Sequence, residues 1–205
     1  MQAIQDQAPQ STRRPEHDSR TLIELFLVRS ALAPDSPAVH VRREGTYQPI
    51  LWKEFEAAVK ETALGLTNLG VERGDRVAIL SENRPEWTVS DLGIYGAGAT
   101  VVPIYATNSA PQVEYILKDS GSVAVFCSTR NQVEKILSIR DNLGTRFSIV
   151  HFDEEAANTS EDPSILSMSR LREKGRVLAE RQPELFDDLV RAVEPEDLAS
   201  IIYTS

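Results

Sequence analysis

The alternation of apolar and polar positions divides this chain into short helical and extended segments. Leu22, Leu25, Phe26, Arg29 and Leu32 are spaced as a helical stripe, which Pro34 ends. Val39 and Val41 alternate with charged neighbours, and Glu44-Gly45 offers a turn before Tyr47 to Leu51, so a hairpin is predicted. Phe55, Val59, Thr62, Leu66 and Leu69 share one helical face, with Gly70 placed to stop the helix. A regular alternation starts at Arg76. Val77 to Leu80 is a compact apolar strand, and Asn83, Pro85 and Glu86 form a helix start for a segment running to about Gly96. Thr100 to Ile104 is a second strand, in which Pro103 predicts failing ladder bonds.

Ser109 with Gln112, and Thr129 with Gln132, have the spacing of capping boxes. Val113, Ile116 and Leu117 follow the first, and Val133, Ile136 and Leu137 the second. Gly121 closes the earlier of these two helices; Val123 to Cys127 and Arg146 to Phe152 complete the strands. Strands that alternate with helices, each a continuous apolar run, predict an α/β fold: a mainly parallel sheet with flanking helices covering both faces. Residues 1–19 are polar and are expected to be a mobile lead-in, with residues 20–205 forming one unit. Within it, residues 153–197 carry 13 acids against six bases, which predicts surface helices near Leu166–Leu178 and Pro183–Val193. Leu198, Ala199, Ile201 and Ile202 then predict a buried strand that runs into Tyr203-Thr204-Ser205.

Charge and composition remove several function classes. A formal charge of -9 over 205 residues provides no concentrated positive surface, so nucleic acid is not an expected partner. A single cysteine, Cys127, forms no internal disulfide and reads as a buried small hydrophobe. His17, His40 and His151 are too scattered for a metal triad. Residues 92–113 are uncharged, but their glycines and prolines fit a buried helix–turn–strand passage better than a membrane span. A cytoplasmic protein is expected, and peripheral contact with a membrane stays compatible with the sequence. Gly93, Gly96 and Gly98 follow a helix and precede a strand, which is the wrong order for a dinucleotide fingerprint and the right one for close packing. The turn after Leu80 has no glycine at all. Ser81, Ser120 and Ser128 lack the surround of a hydrolase nucleophile, and Trp87 reads as a core anchor. No catalytic constellation is complete among these residues, so an interaction module using the acidic segment stands as the alternative to an enzyme.

Several segments, in order, resemble the adenylate-forming enzymes, most closely the bacterial long-chain fatty acid–CoA ligases. They are Ile50 to Phe55, Gly74 to Leu80 with Asn83 to Trp87, Tyr95 to Tyr105, and Leu198 to Ser205; Pro183 to Phe186 is similar to the long-chain subgroup. The resemblance covers residues 20–205 and implies the N-terminal part of a large AMP-binding domain. It implies ATP, Mg2+ and coenzyme A as cofactors and a fatty acid as substrate, with an acyl-adenylate formed first and a thioester second. It also places Thr204 and Ser205 at the phosphates, with Thr204 at the metal. The family's glycine-rich continuation after Ser205 is absent, so the chain is expected to be inactive alone.

Overall fold

A computed structural model of the chain describes residues 19–43, 45–143, 147–153 and 162–204. The predicted lead-in therefore lies almost wholly outside the described residues. Helix α1 (Leu22–Leu32) opens on Thr21, which caps it reciprocally with Glu24. Its buried face is Ile23, Phe26 and Ser30, whereas Leu22 is 52% exposed and Leu25 and Leu32 also face outward. The predicted stripe is thus turned. Ser30 can be buried because its hydroxyl donates to the carbonyl of Trp52, a partner the local pattern does not show.

Strands β1 (Pro37–Arg43) and β2 (Thr46–Leu51) pair antiparallel as a separate hairpin. Gly45 has the positive φ expected of its turn, and Glu44 lies outside the described residues. Helix α2 (Trp52–Asn68) follows, then β3 (Arg76–Leu80), α3 (Pro85–Gly96), β4 (Thr100–Ile104), α4 (Ala110–Ser120), β5 (Ser122–Cys127), α5 (Arg130–Ile139) and β6 (Ser148–His151). Strand β7 (Ile165–Ser167) and helices α6 (Met168–Arg181) and α7 (Leu185–Ala192) complete the described elements.

The five strands β4-β3-β5-β6-β7 form one sheet in that order, parallel throughout. Alternate side chains feed two cores. Val77, Ile79, Val101, Ala124, Phe126 and Val150 pack with α2 and α3, and Ala78, Leu80, Val102, Val125, Cys127 and Ile149 pack with α4 and α5. Burial on both faces is why each strand reads as an uninterrupted apolar run.

Two local expectations change and a third holds. The residue flanking α3 is Arg84, not Asn83, because Pro85 already occupies the first helical turn. Thr129 flanks α5 without a side-chain cap, since Gln132 turns instead to the Ala106 carbonyl at 3.0 Å. The Ser109–Gln112 box does form, with Gln112 accepting from the Ser109 N–H at 2.8 Å.

The tail from Leu198 is not a buried strand. Ser200 bridges Val101 in parallel, but Leu198 is 59% and Ile202 68% exposed. Val101 N–H donates to the Ala199 carbonyl and Ile201 N–H to the Val101 carbonyl. The next outward-facing donor on β4 is position 103, and proline has none, so pairing stops after one bridge.

Helix α3 contains a titratable pair. Burial pushes the Asp91 carboxyl up to about 6, and a hydrogen bond from the Tyr95 hydroxyl only partly offsets this. The folded state therefore holds its proton to higher pH than the unfolded chain, so this group's contribution falls between about pH 4 and 6 and is flat above. Asp91→Asn is expected to raise the melting temperature at pH 7.5 relative to wild type, and to do so much less at pH 4. Thermal melts of both proteins at the two pH values check this; an equal difference at both would show that Asp91 is not desolvated.

Candidate functional site

Parallel strands place their carboxyl ends on one edge, where α/β sheets gather loops able to meet a ligand. Here that edge is formed by the segments after Leu80, Ile104, Cys127 and His151. Arg84, in the turn after β3, ties three of them together. Its Nε donates to Glu86 at 2.9 Å, its Nη1 to the Ser128 carbonyl at 3.0 Å, and both Nη atoms lie 3.4 Å from Asp153. The guanidinium also sits over the Phe152 ring, 5.4 Å from its centroid. Ser128 donates its hydroxyl to Glu82 at 2.6 Å. Burial of Glu82 opposes its ionisation, but this bond, a backbone N–H and Arg84 hold its carboxyl below the usual range. The hub cross-links the three turns, and its carboxylates are engaged by Arg84 and Ser128.

The second half of the edge is an open cleft beside β4. From the Val101–Ser200 bridge the tail runs on to Thr204, which shares a cleft with Tyr105, the residue just beyond the strand. Thr204 lines the cleft with Tyr105, Asn108, Gln112, Tyr115 and Tyr203, and is exposed. Tyr203 anchors the tail: its hydroxyl donates to Asp119 at 2.6 Å, and its ring meets Tyr115 edge-on at 6.3 Å. Burial, then the Asp119 carboxylate, pushes the Tyr203 hydroxyl up to about 12. Ser205, the other predicted phosphate residue, lies outside the described residues.

Thr204 can offer a metal one hydroxyl oxygen, which is compatible with Mg2+, an ion that takes few protein ligands beside phosphate oxygens. Among the described residues no cluster of three or more His, Cys, Asp or Glu could hold a metal. The three fully described edge turns, 81–84, 105–109 and 128–129, contain no glycine and so are not glycine-rich cradles for a triphosphate. The residues present fit one wall of a nucleotide site and leave its cradle unsupplied.

The remaining candidates fall outside the edge chemistry. Cys127 is fully buried, and burial pushes its thiol well up, so it is a core residue as expected. His40 is on β1 and His151 is buried on β6, while His17 lies outside the described residues. Ser120 is bonded back to its own helix at Ile116 and Ser81 to the Glu82 carbonyl, so neither is poised as a nucleophile. Gly93 and Gly96 pack α3 on α2: a Cβ at 93 would fall 2.6 Å from the Thr62 methyl, and one at 96 would fall 3.2 Å from Ala63. Trp87 is partly buried against the core. Among the described residues no helix is long and apolar enough to cross a membrane. Arg84 lies within the Asn83–Trp87 segment that resembles the family, but its bridging role is not legible there, because Ser128 and Asp153 lie 44 and 69 residues away.

Comparison with known proteins gives this geometry a family. The model of the family described as AMP-binding enzyme matches residues 27–205. The long-chain-fatty-acid–CoA ligase ACSBG1 of Bos taurus is 31% identical over 186 residues, covering 91% of this chain and 25% of that protein. FadD15 of Mycobacterium bovis, also a long-chain-fatty-acid–CoA ligase, is 32% identical over 162 residues, 79% of this chain and 25% of its own. The chain thus spans about a quarter of the length of these curated relatives. Among solved structures, the anthranilate CoA ligase AuaEII with anthranoyl-AMP superposes with a TM-score of 0.63 at 23% identity, over 88% of this chain and 31% of that one. The N-terminal domain of FACL13 from Mycobacterium tuberculosis gives 0.57 at 26% identity, over 88% and 40%. With a match running through nearly all of the sequence and a sheet of the same architecture, the chain belongs to the AMP-binding enzyme family.

Proposed function

We propose that this chain is the N-terminal part of the large domain of an ATP-dependent fatty acid–CoA ligase. The observation that carries the reading is Thr204 emerging at the carboxyl edge of the sheet, beside the cleft at Tyr105, in a chain about 31% identical to long-chain ligases. A carboxylate is a poor electrophile; joining it to AMP gives a mixed anhydride with a good leaving group, which a thiol then attacks. Magnesium, when bound, would neutralise charge developing on the pyrophosphate. This chain's own part is narrower. Thr204 offers a hydroxyl to the phosphates and metal, the Arg84 hub fixes the neighbouring edge, and Tyr203 anchors the tail that carries Thr204. Ser205 is proposed to share the phosphate role. The rest of the nucleotide site, the acyl pocket and the coenzyme A path would come from sequence outside this chain.

The alternative, an interaction module, would need the acids of residues 153–197 as its surface. Helix α6, with five bases against two acids, packs along α2, where Arg172 and Arg176 pair with Glu61 at 2.8 and 3.1 Å. Within that segment α6 is thus an internal support, while 11 of the 13 acids lie outside it.

Two proteins test the reading. The 205-residue chain alone is expected to show no fatty-acid-dependent exchange of pyrophosphate into ATP. A chimera in which residues 20–205 replace the matching quarter of FadD15 is expected to show it. A folded chimera without exchange, or a lone chain with exchange at the ligase's rate, would falsify the assignment.

A further inference from the structure

The inner side of α5 is apolar at Val133, Ile136 and Ile139 but also carries two polar residues, the buried Gln132 and the half-buried Lys135. Gln132, Lys135, Ile136 and Ile139 follow helical spacing along one side, and Gln132 is only 9% exposed while Ile136 is fully buried. A helix lying on an apolar sheet would ordinarily put aliphatic residues at all four positions, because buried polar groups cost free energy unless bonded. The first two meet something other than the sheet. Gln132 Nε2 donates to the Ala106 carbonyl at 3.0 Å, and Lys135 Nζ donates to the same carbonyl at 3.2 Å and to the Asn108 carbonyl at 2.6 Å.

Both carbonyls belong to the loop that leaves β4 and enters α4. The loop folds on itself through Asn108 N–H to the Tyr105 carbonyl at 3.0 Å, and Gln112 holds the Ser109 N–H at its end. Its other side presents Tyr105 and Asn108 to the cleft that Thr204 lines. Among the described residues Lys135 forms no ion pair with a carboxylate. Its charge is directed at two peptide dipoles instead. An ammonium suits such a position, being a compact charge with three donors, and charge-assisted bonds to carbonyls are stronger than neutral ones. Burial lowers its pKa from the usual lysine value, as expected for a cation drawn off the surface.

We infer that Lys135, seconded by Gln132, is a positioning residue that braces the Tyr105–Ser109 loop from behind and so fixes the cleft wall beside Thr204. The purpose of a fixed wall rests on the ligase reading; the brace itself does not. Without it the loop would lose its bonds to α5, and its internal turn and α4 cap, held by Asn108 N–H and Ser109 N–H, would open more often. The wall would then move relative to the sheet edge, where a misplacement of about 1 Å is costly to a reaction that depends on alignment.

Hydrogen–deuterium exchange on the 205-residue chain, without any substrate, tests the brace separately from the pyrophosphate-exchange assay that tests the ligase reading. Lys135→Met keeps an apolar stem and removes the donors. Amides of residues 106–109 are expected to exchange on the order of tenfold faster, with β3 and β5 unchanged. Lys135→Arg, which restores a charged donor, is expected to recover part of the protection. Wild-type protection in Lys135→Met would mean that the stem alone holds the loop, and a uniform acceleration through the sheet would mean general support. Either result overturns the inference, as would arginine behaving like methionine.

Discussion

Gly175→Ala is expected to lower the melting temperature by roughly 6–12 °C, although the same change in an open helix would raise stability. Alanine is the better helix former by up to about 1 kcal/mol. At position 175, however, an added Cβ would lie 1.9 Å from the Glu61 carbonyl oxygen and 2.8 Å from the Gly65 nitrogen. Both are backbone atoms of α2, so no side chain can swing away. The contact is reciprocal: a Cβ at Gly65 would lie 2.4 Å from the Leu171 carbonyl oxygen. Helices α2 and α6 therefore touch backbone to backbone, and one methyl must push them apart along a buried face that includes Leu171 and Leu64. Overpacking of this kind costs about 3 kcal/mol, and each kcal/mol moves the melting point of a domain this size by roughly 2–4 °C. The flanking Arg172 and Arg176 pairs with Glu61 would add little, being partly exposed. Circular dichroism melts settle the matter, with the exposed neighbour Lys174→Ala as control. An unchanged or raised melting point for Gly175→Ala would mean that the two backbones lie farther apart than these distances.

That helix contact is invisible in the sequence, and the reason is physical. A strand buried on both faces announces itself as an apolar run, so Val77–Leu80 and Val123–Cys127 can be read directly. A left-handed glycine after a helix is equally local, as Gly121 shows. A glycine required by another helix 110 residues away in sequence carries no such mark. Strand β7 escapes the same reading because it has three residues and needs only β6 as partner. The apolar tail at Leu198–Ile202 reads as buried because composition reports what a residue would prefer, while Pro103 determines how far β4 can pair with it. At the candidate site, Thr204 is legible through family resemblance alone. Arg84, Gln132 and Lys135 are not, since their partners are backbone carbonyls and acids on other elements. The capping-box spacing at Thr129–Gln132 even suggests the wrong partner, because a glutamine able to close a cap is drawn off by the better-placed Ala106 carbonyl.

The second large effect joins the core to the edge. Phe126→Ala is expected to cost about 3–5 kcal/mol, lowering the melting temperature by roughly 6–20 °C. Phe126 is fully buried in β5, on the sheet face that α2 and α3 help cover, and it heads the largest fully buried side chains of the described residues. Removing the ring leaves a cavity that a sheet fixed on both sides closes poorly. The loss should also travel outward. Phe126 packs against Phe152 with ring centroids 6.0 Å apart, and Phe152 in turn carries the Arg84 guanidinium at 5.4 Å. A Phe152 ring without that support can drop toward the cavity, taking with it the apolar floor on which Arg84 reaches Ser128 and Asp153. Phe126→Leu keeps most of the volume and should cost under about 1.5 kcal/mol. Two readouts separate core from edge: thermal unfolding for stability, and amide exchange at 81–84 and 128–129, well below the melting point, for the hub. Alanine is expected to lower the first and quicken the second, leucine to spare most of both. If alanine lowered the melting point while leaving those turns as protected as in wild type, the hub would be held by its polar bonds alone and the Phe126–Phe152–Arg84 stack would have no part in ordering the edge.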